Sequence, residues 1–204
     1  MTANVDLARR LLALAQTGLH FTPQEYDRER YRELVEIAGQ LLANESEHTP
    51  QRLQATWFVE DGYATPKMDV RGAVFRDDKV LLVRETTDGK WTMPGGWADV
   101  NDSPSYAVEK EIEQESGFTA KAAKLAALYD RNKHEHPRYL YHAWKAFFVC
   151  DITGGAPRLS NETDGVDFFA LDALPELSTG RSTAAQIRRM YVHHLQRDLP
   201  TDFD

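Results

Sequence analysis

The hydrophobic period of the chain changes once, and that change divides it. Up to about residue 59 the apolar residues recur at helical spacing; beyond "EDGYATPK", residues 60–67, they alternate with a period of two. Leu7, Leu11, Leu12 and Leu14 give a first apolar face, and Gly18 is placed to end that helix. "TPQE" at 22–25 has the form of a capping box, with Thr22 as N-cap, Pro23 in the first turn and Glu25 reaching back. Tyr31, Leu34, Ala38, Leu41 and Leu42 continue the stripe, and "TPQRLQATWF" from Thr49 repeats the start signal for a third helix. Helices of this size need a partner surface, either the rest of the chain or a second copy. A small all-helical piece over residues 1–62 and a second domain over 63–204 are the expected division.

In the second part "DVRGAVFR", the turn Asp77–Asp78 and "KVLLVRE" predict a hairpin, and "WTMPGG" a short strand after it. Further strands are expected at 123–131, 139–151 and 165–171, with helices at 104–116 and about 182–197. Strands mixed with two helices predict an α/β domain, a mixed β-sheet between helices.

Composition narrows the function classes. Hydrophobic residues are 42% and charged residues 27% of the 204, the balance of a globular chain. No stretch approaches the roughly 18 apolar residues that span a bilayer. The N-terminal apolar run is interrupted by arginines and lacks a small-residue cleavage site, so it reads as an amphipathic helix. Cys150 is the one cysteine, which rules out an internal disulfide and makes a reducing cytoplasm the default. It lies in "AFFVCDI" and reads as a small buried hydrophobe. A net charge of -8 argues against a grip on long nucleic acid by phosphate neutralisation, yet leaves room for a small phosphorylated substrate whose charge a divalent metal offsets.

The chemistry concentrates in "PGGWADVNDSPSYAVEKEIEQESGF", residues 94–118. Ser103 and Pro104 start a helix and Gly117 stops it. Glu111 and Glu115, four apart, share one face, and Gln114, three from Glu111, is expected to share it. Like charges so placed repel unless a cation bridges them. Hard oxygen ligands without histidine or cysteine suit Mg2+ or Mn2+ better than zinc. Gly95 and Gly96 let the backbone turn tightly beside the helix, bringing main-chain groups close to a metal or phosphate. A glutamate-rich helix is more often a solvated face; the spacing of the whole stretch weighs against that here.

From Gly96, five residues lead to Asp102, seven more to Lys110, and then comes "KEIEQESGF". This resembles the signature of the Nudix hydrolases: a glycine, an acid, then Arg-Glu-apolar-x-Glu-Glu-x-Gly-apolar. Asp102 stands for the first glutamate, Lys110 for the arginine and Gln114 for the middle glutamate. "LAQTGL", "YDRER", "GYATPKMDVRGAVF", "GGWADV", "HEHP" and "LPELS" extend the likeness over nearly the whole chain. They resemble a bacterial subgroup with an N-terminal helical domain, associated with X-linked nucleoside diphosphates and including enzymes of CDP-choline. The resemblance implies a Nudix fold behind the helical piece, a homodimer with the helices at its interface, and cleavage of CDP-choline to CMP and phosphocholine. It implies Glu111 and Glu115 as core ligands of Mg2+ or Mn2+, with Gln114 and Gly95 as further residues of the metal site. It also implies a late-loop acid six residues before an aromatic, which Glu162 supplies ahead of Phe168 as a metal ligand or water-activating base, or else as a solvated loop glutamate. Lysine does not reproduce a guanidinium fork, and glutamine keeps an oxygen but loses the charge. A weakened but working site is the expectation.

Arg71 and Arg84, on the early strands, are candidates to clamp a phosphate, or else ion-paired arginines, and Glu85, which follows Arg84, is a further substrate-binding candidate. Trp97 beside the glycine turn is a candidate to stack on a base, or else a core residue. His134, His136 and His142 lack further ligands at zinc spacing and read as a polar or substrate-touching loop. Three functions stay open: hydrolysis of CDP-choline, ADP-ribose or another nucleotide derivative; a nucleotide sensor without turnover; and processing of RNA ends.

Overall fold

The structure, a computed structural model, describes residues 2–43, 63–139 and 141–204. By its contacts it divides into one unit of residues 1–66 with 140–142 and a second of 67–139 with 143–204. The helix expected from Thr49 lies outside the described residues.

In the first unit α1 spans Thr2–Phe21 and α2 spans Glu25–Ala43. Gly18 does not end α1. The helix runs three residues further, and a Cβ at Gly18 would lie 2.3 Å from the Tyr31 ring, so this glycine lets α2 approach α1 closely. Thr22 is not a capping box either: its hydroxyl accepts the amide of Gln24, and α2 begins only at Glu25. The buried face is also turned from expectation. Val5, Ala8, Ala38 and Leu42 form the core with Leu11 and Leu12 against it, while Leu7 and Leu14 are exposed. Small residues, not the largest leucines, set the contact because two backbones meet there.

In the second unit β1 (Lys67–Arg76) and β2 (Lys79–Glu85) form the expected hairpin, with Phe75 opposite Val80. Asp77 and Asp78 both take left-handed backbone (φ 52° and 60°), the geometry that matches the twist of a two-residue hairpin. β3 is only Trp91–Thr92. α3 spans Pro104–Ser116, with Ser103 accepting the amide of Tyr106 at its start and Gly117 capping its end. β4 (Phe118–Asp130) begins five residues earlier than expected, because "TAKAAK" carries too little hydrophobic contrast to announce a strand. β5 is Ala143–Gly155, β6 is Thr163–Ala170, and α4 is Ala184–Leu195 with a complete capping box between Thr183 and Gln186. β7, Asp202–Phe203, was not foreseen.

The sheet runs β3-β2-β1-β5-β4-β7, with β6 paired to β2. It is mixed: β1 with β5 and β4 with β7 are parallel, the other pairs antiparallel. Val108 and Ile112 of α3 pack with Val70, Val74 and Leu81 in one core, and Ile187 and Met190 of α4 pack with Val80, Leu82 and Phe147 in another. The expected sheet between helices is what these two cores describe.

Candidate active site

α3 lays Ile112 against β1, and this fixes which carboxylates turn inward. Glu111 is half-buried and Glu115 only 5% exposed. Both line a cavity of about 460 Å³, together with Glu85, Glu162, Gly95 and Gly96. Gly95 supplies the local support. Its amide donates to Glu115 Oε2 at 2.8 Å. It does so with φ 141°, and a Cβ there would fall 2.0 Å from the Val70 carbonyl oxygen, so no larger residue fits. Thr163, fully buried at the start of β6, donates its hydroxyl to the Glu115 carbonyl oxygen at 2.7 Å. That bond sets Glu162, one residue away, at the cavity.

Burial pushes the Glu115 carboxyl up to about 8, with Glu111 and Glu85 adding to the rise and Arg71 opposing it. Burial also raises Glu111, with Glu162 adding repulsion, and raises Glu85, where Arg181 opposes. Among the described residues no three His, Cys, Asp or Glu side chains already stand as a ready ligand group. The donor chemistry still fits a hard divalent cation. Four glutamates face one cavity, all through oxygen, and their mutual repulsion is what such an ion would relieve.

Gln114 is elsewhere. It is exposed and outside the cavity lining, because one position on a helix turns a side chain by about 100° from Glu115. Lys110 bridges Asp99 and Asp102, so the lysine fastens the preceding loop to α3.

Arg71 lines the cavity, but its guanidinium is engaged: Nε and Nη2 donate to the two oxygens of Asp69 at 3.0 and 2.9 Å, and Nη1 donates to the Met93 carbonyl. Arg84 lies outside the lining, exposed and paired with Asp164 at 2.7 Å. Successive strand residues point to opposite sides, so Glu85 turns inward where Arg84 turns out. Trp97 lines the cavity with its ring near-parallel to Tyr139, centroids 6.3 Å apart. His136 is taken up by structure: its ring nitrogens meet the Thr179 carbonyl oxygen and the Gln186 amide, and burial pushes it down to about 4. Cys150 is buried, as expected.

Sequence reasoning missed Asp69, Arg131, Lys145 and Arg181, all of them at the cavity. Arg181 pairs with Glu85 at 3.0 Å and reaches Asp88. Two signals were available: Asp69 and Arg71 are two apart on one strand and so share a face, and Lys145 is the lone charge within "AWKAFFVC".

Comparison with known proteins agrees with this architecture. Residues 66–191 match the NUDIX domain, and residues 2–57 match the UDP-X-like N-terminal oligomerisation domain. The chain therefore belongs to the Nudix hydrolases. It is 42% identical over 200 residues, 98% of this chain and 96% of the relative, to a Bacillus subtilis (strain 168) protein provisionally named ADP-ribose pyrophosphatase YjhB. A crystal structure of a UDP-X diphosphatase matches with 33% identity and a TM-score of 0.65, over 100% of this chain and 98% of that one. A crystal structure of an ADP-ribose pyrophosphatase from Streptococcus suis 89-1591 matches with 39% identity and a TM-score of 0.64, over 69% of this chain and all of that one.

Proposed function

We propose that the chain is a divalent-metal-dependent pyrophosphohydrolase of nucleoside diphosphates linked to a second moiety. The observation that carries this reading is the buried Glu115 beside Glu111, facing Glu85 and Glu162 across one cavity. A carboxylate with its proton affinity raised by burial is a poor structural element and a good cation ligand.

Glu111 and Glu115 would hold Mg2+ or Mn2+, with Glu162 and the Gly95 carbonyl as further oxygen ligands. Such an ion, when bound, neutralises phosphoryl charge and acidifies a coordinated water. The chain's own groups do the rest. The Gly95 amide aims the Glu115 carboxyl, and together with the Arg71 charge it opposes part of the rise that burial imposes. Glu162 accepts the proton of the attacking water, whose oxygen bonds to phosphorus as the bridging P–O bond breaks. The products are a nucleoside monophosphate and the phosphorylated second moiety. Trp97 and Tyr139 offer an aromatic wall for a planar base.

The relatives' names favour ADP-ribose and UDP-linked compounds as first substrates to try, while CDP-choline rests on the subgroup likeness alone. Gln114 stands outside the cavity, so its lost charge gives little support to a sensor without turnover. Two further observations support assembly with a second copy: the matched N-terminal domain is described as an oligomerisation domain, and Leu7, Leu14 and Phe21 are exposed at seven-residue spacing along α1. No described helix is long and apolar enough to cross a membrane. We place the protein in the cytoplasm because its lone cysteine is a free thiol. Incubation with ADP-ribose, a UDP-sugar or CDP-choline and Mg2+ or Mn2+ tests the reading; release of no nucleoside monophosphate from any of them rejects it.

A further inference from the structure

We propose that Lys145 and Arg131 form an anion subsite that donates directly to the phosphoryl oxygens of the substrate, without an intervening cation. The proposal rests on the hydrolase reading above and adds a second, metal-independent grip in the same cavity.

Three neighbouring strands build the row. Asp69 on β1 is the register partner of Lys145 on β5, and Asp130, the last residue of β4, is opposite Trp144, so Arg131 follows directly beside them. Asp69 accepts Lys145 Nζ at 2.6 Å. Yet Asp69 already has both oxygens taken by Arg71. One carboxylate thus stands between two cations, and Arg71 is drawn to Glu115 and Glu85 as well. Lys145 is 1% exposed and Arg131 5%, so these charges are held away from bulk water at considerable cost. Both Lys145 and Arg131 border the cavity, where an incoming anion can reach them.

Charged neighbours of Lys145 include Asp69, Arg71 and Arg131, while Arg71 and Arg181 are among the cations that act on the cavity glutamates. Burial and the neighbouring arginines push Lys145 down to about 8, and an arriving anion would hold its proton in place. Arg131 is fixed by a bond from Nη2 to the Gly180 carbonyl at 3.4 Å and lies over the Tyr139 ring. A diphosphate lodged between the glutamates and this row would meet a metal on one side and N–H donors on the other.

The test is equilibrium binding to the full chain, by calorimetry in EDTA, of ADP whose bridging oxygen is replaced by a methylene group. The native protein is expected to bind it, less tightly as salt rises. Lys145→Met, in which Arg71 still pairs with Asp69, is expected to weaken binding about tenfold or more. Arg84→Met, outside the cavity, should leave it unchanged. If Lys145→Met fails to fold, Arg131→Gln carries the same expectation. No binding by the native protein in EDTA overturns the proposal, as does unaltered affinity in a folded Lys145→Met or Arg131→Gln. Because the analogue is not cleaved, a failure here is distinct from a failure to hydrolyse any nucleotide.

Discussion

Thr163 fastens Glu115 to β6: its hydroxyl donates to the Glu115 main-chain oxygen at 2.7 Å, and both residues are buried. The acid of the helix and the acid of the late loop are thereby held in one frame, although 47 residues separate Glu115 from Glu162. Thr163→Val keeps the shape and removes the donor. It should cost about 1 kcal/mol of stability and lower kcat about tenfold or more through the displaced Glu162, with KM little changed. Steady-state kinetics beside a thermal melt separate the two effects.

Glu115 gives the metal-free protein a pH dependence of definite sign. Its carboxyl is raised from an ordinary 4.5 to about 8, chiefly by burial. Between those values the folded state keeps a proton that the unfolded chain has released, so stability falls as pH rises through this window and levels off above it. Melts in EDTA from pH 5 to 8.5 should show a falling Tm, and added Mg2+ should restore it most at the alkaline end. Glu115→Gln should flatten the slope and raise the EDTA Tm at pH 8. The same variant should lose about a hundredfold or more in turnover, since a group costly to the fold is central to the chemistry.

Gln114→Glu restores the charge that the family signature carries at this position, but the side chain is exposed and off the cavity. The expected change in kcat/KM is within about threefold, equivalent to about 0.6 kcal/mol. A substantially larger rise under saturating Mn2+ would mean that a further ion reaches this residue.

Leu14 is 65% exposed on α1, between Leu7 and Phe21 on the same stripe. Leu14→Asp should weaken self-association about thirtyfold while leaving the melting of the second unit unaltered. Sedimentation across a concentration series gives the answer; an unchanged mass distribution would put the interface elsewhere.

Much of this architecture was legible before any coordinates, for reasons that particular residues make plain. The hairpin around Asp77 and Asp78 and the helix between Ser103 and Gly117 are written in local chemistry, where turn and cap residues act on their immediate neighbours. That Glu111 and Glu115 turn to one cavity follows from their helical spacing. Gln114 misled because a spacing of three from Glu111 was weighed, and the rotation away from Glu115 was not. Lys145 and Arg131 escaped because their meaning depends on β1, β5 and β4 lying side by side, a pairing that no window of sequence displays. The α1 face was misread because close helix contact favours alanine at the seam, and a hydrophobicity pattern ranks Leu7 and Leu14 above Ala8 and Ala15.

Cys150 is 1% exposed, and burial pushes its thiol up to about 12. Maleimides and disulfide reagents react through the thiolate, so the folded chain offers them almost nothing. A single cysteine introduced at an exposed position, Tyr26 for instance, would then be the sole reactive thiol. One fluorophore per chain could be attached without first removing a native cysteine, and assembly or nucleotide capture followed by its signal.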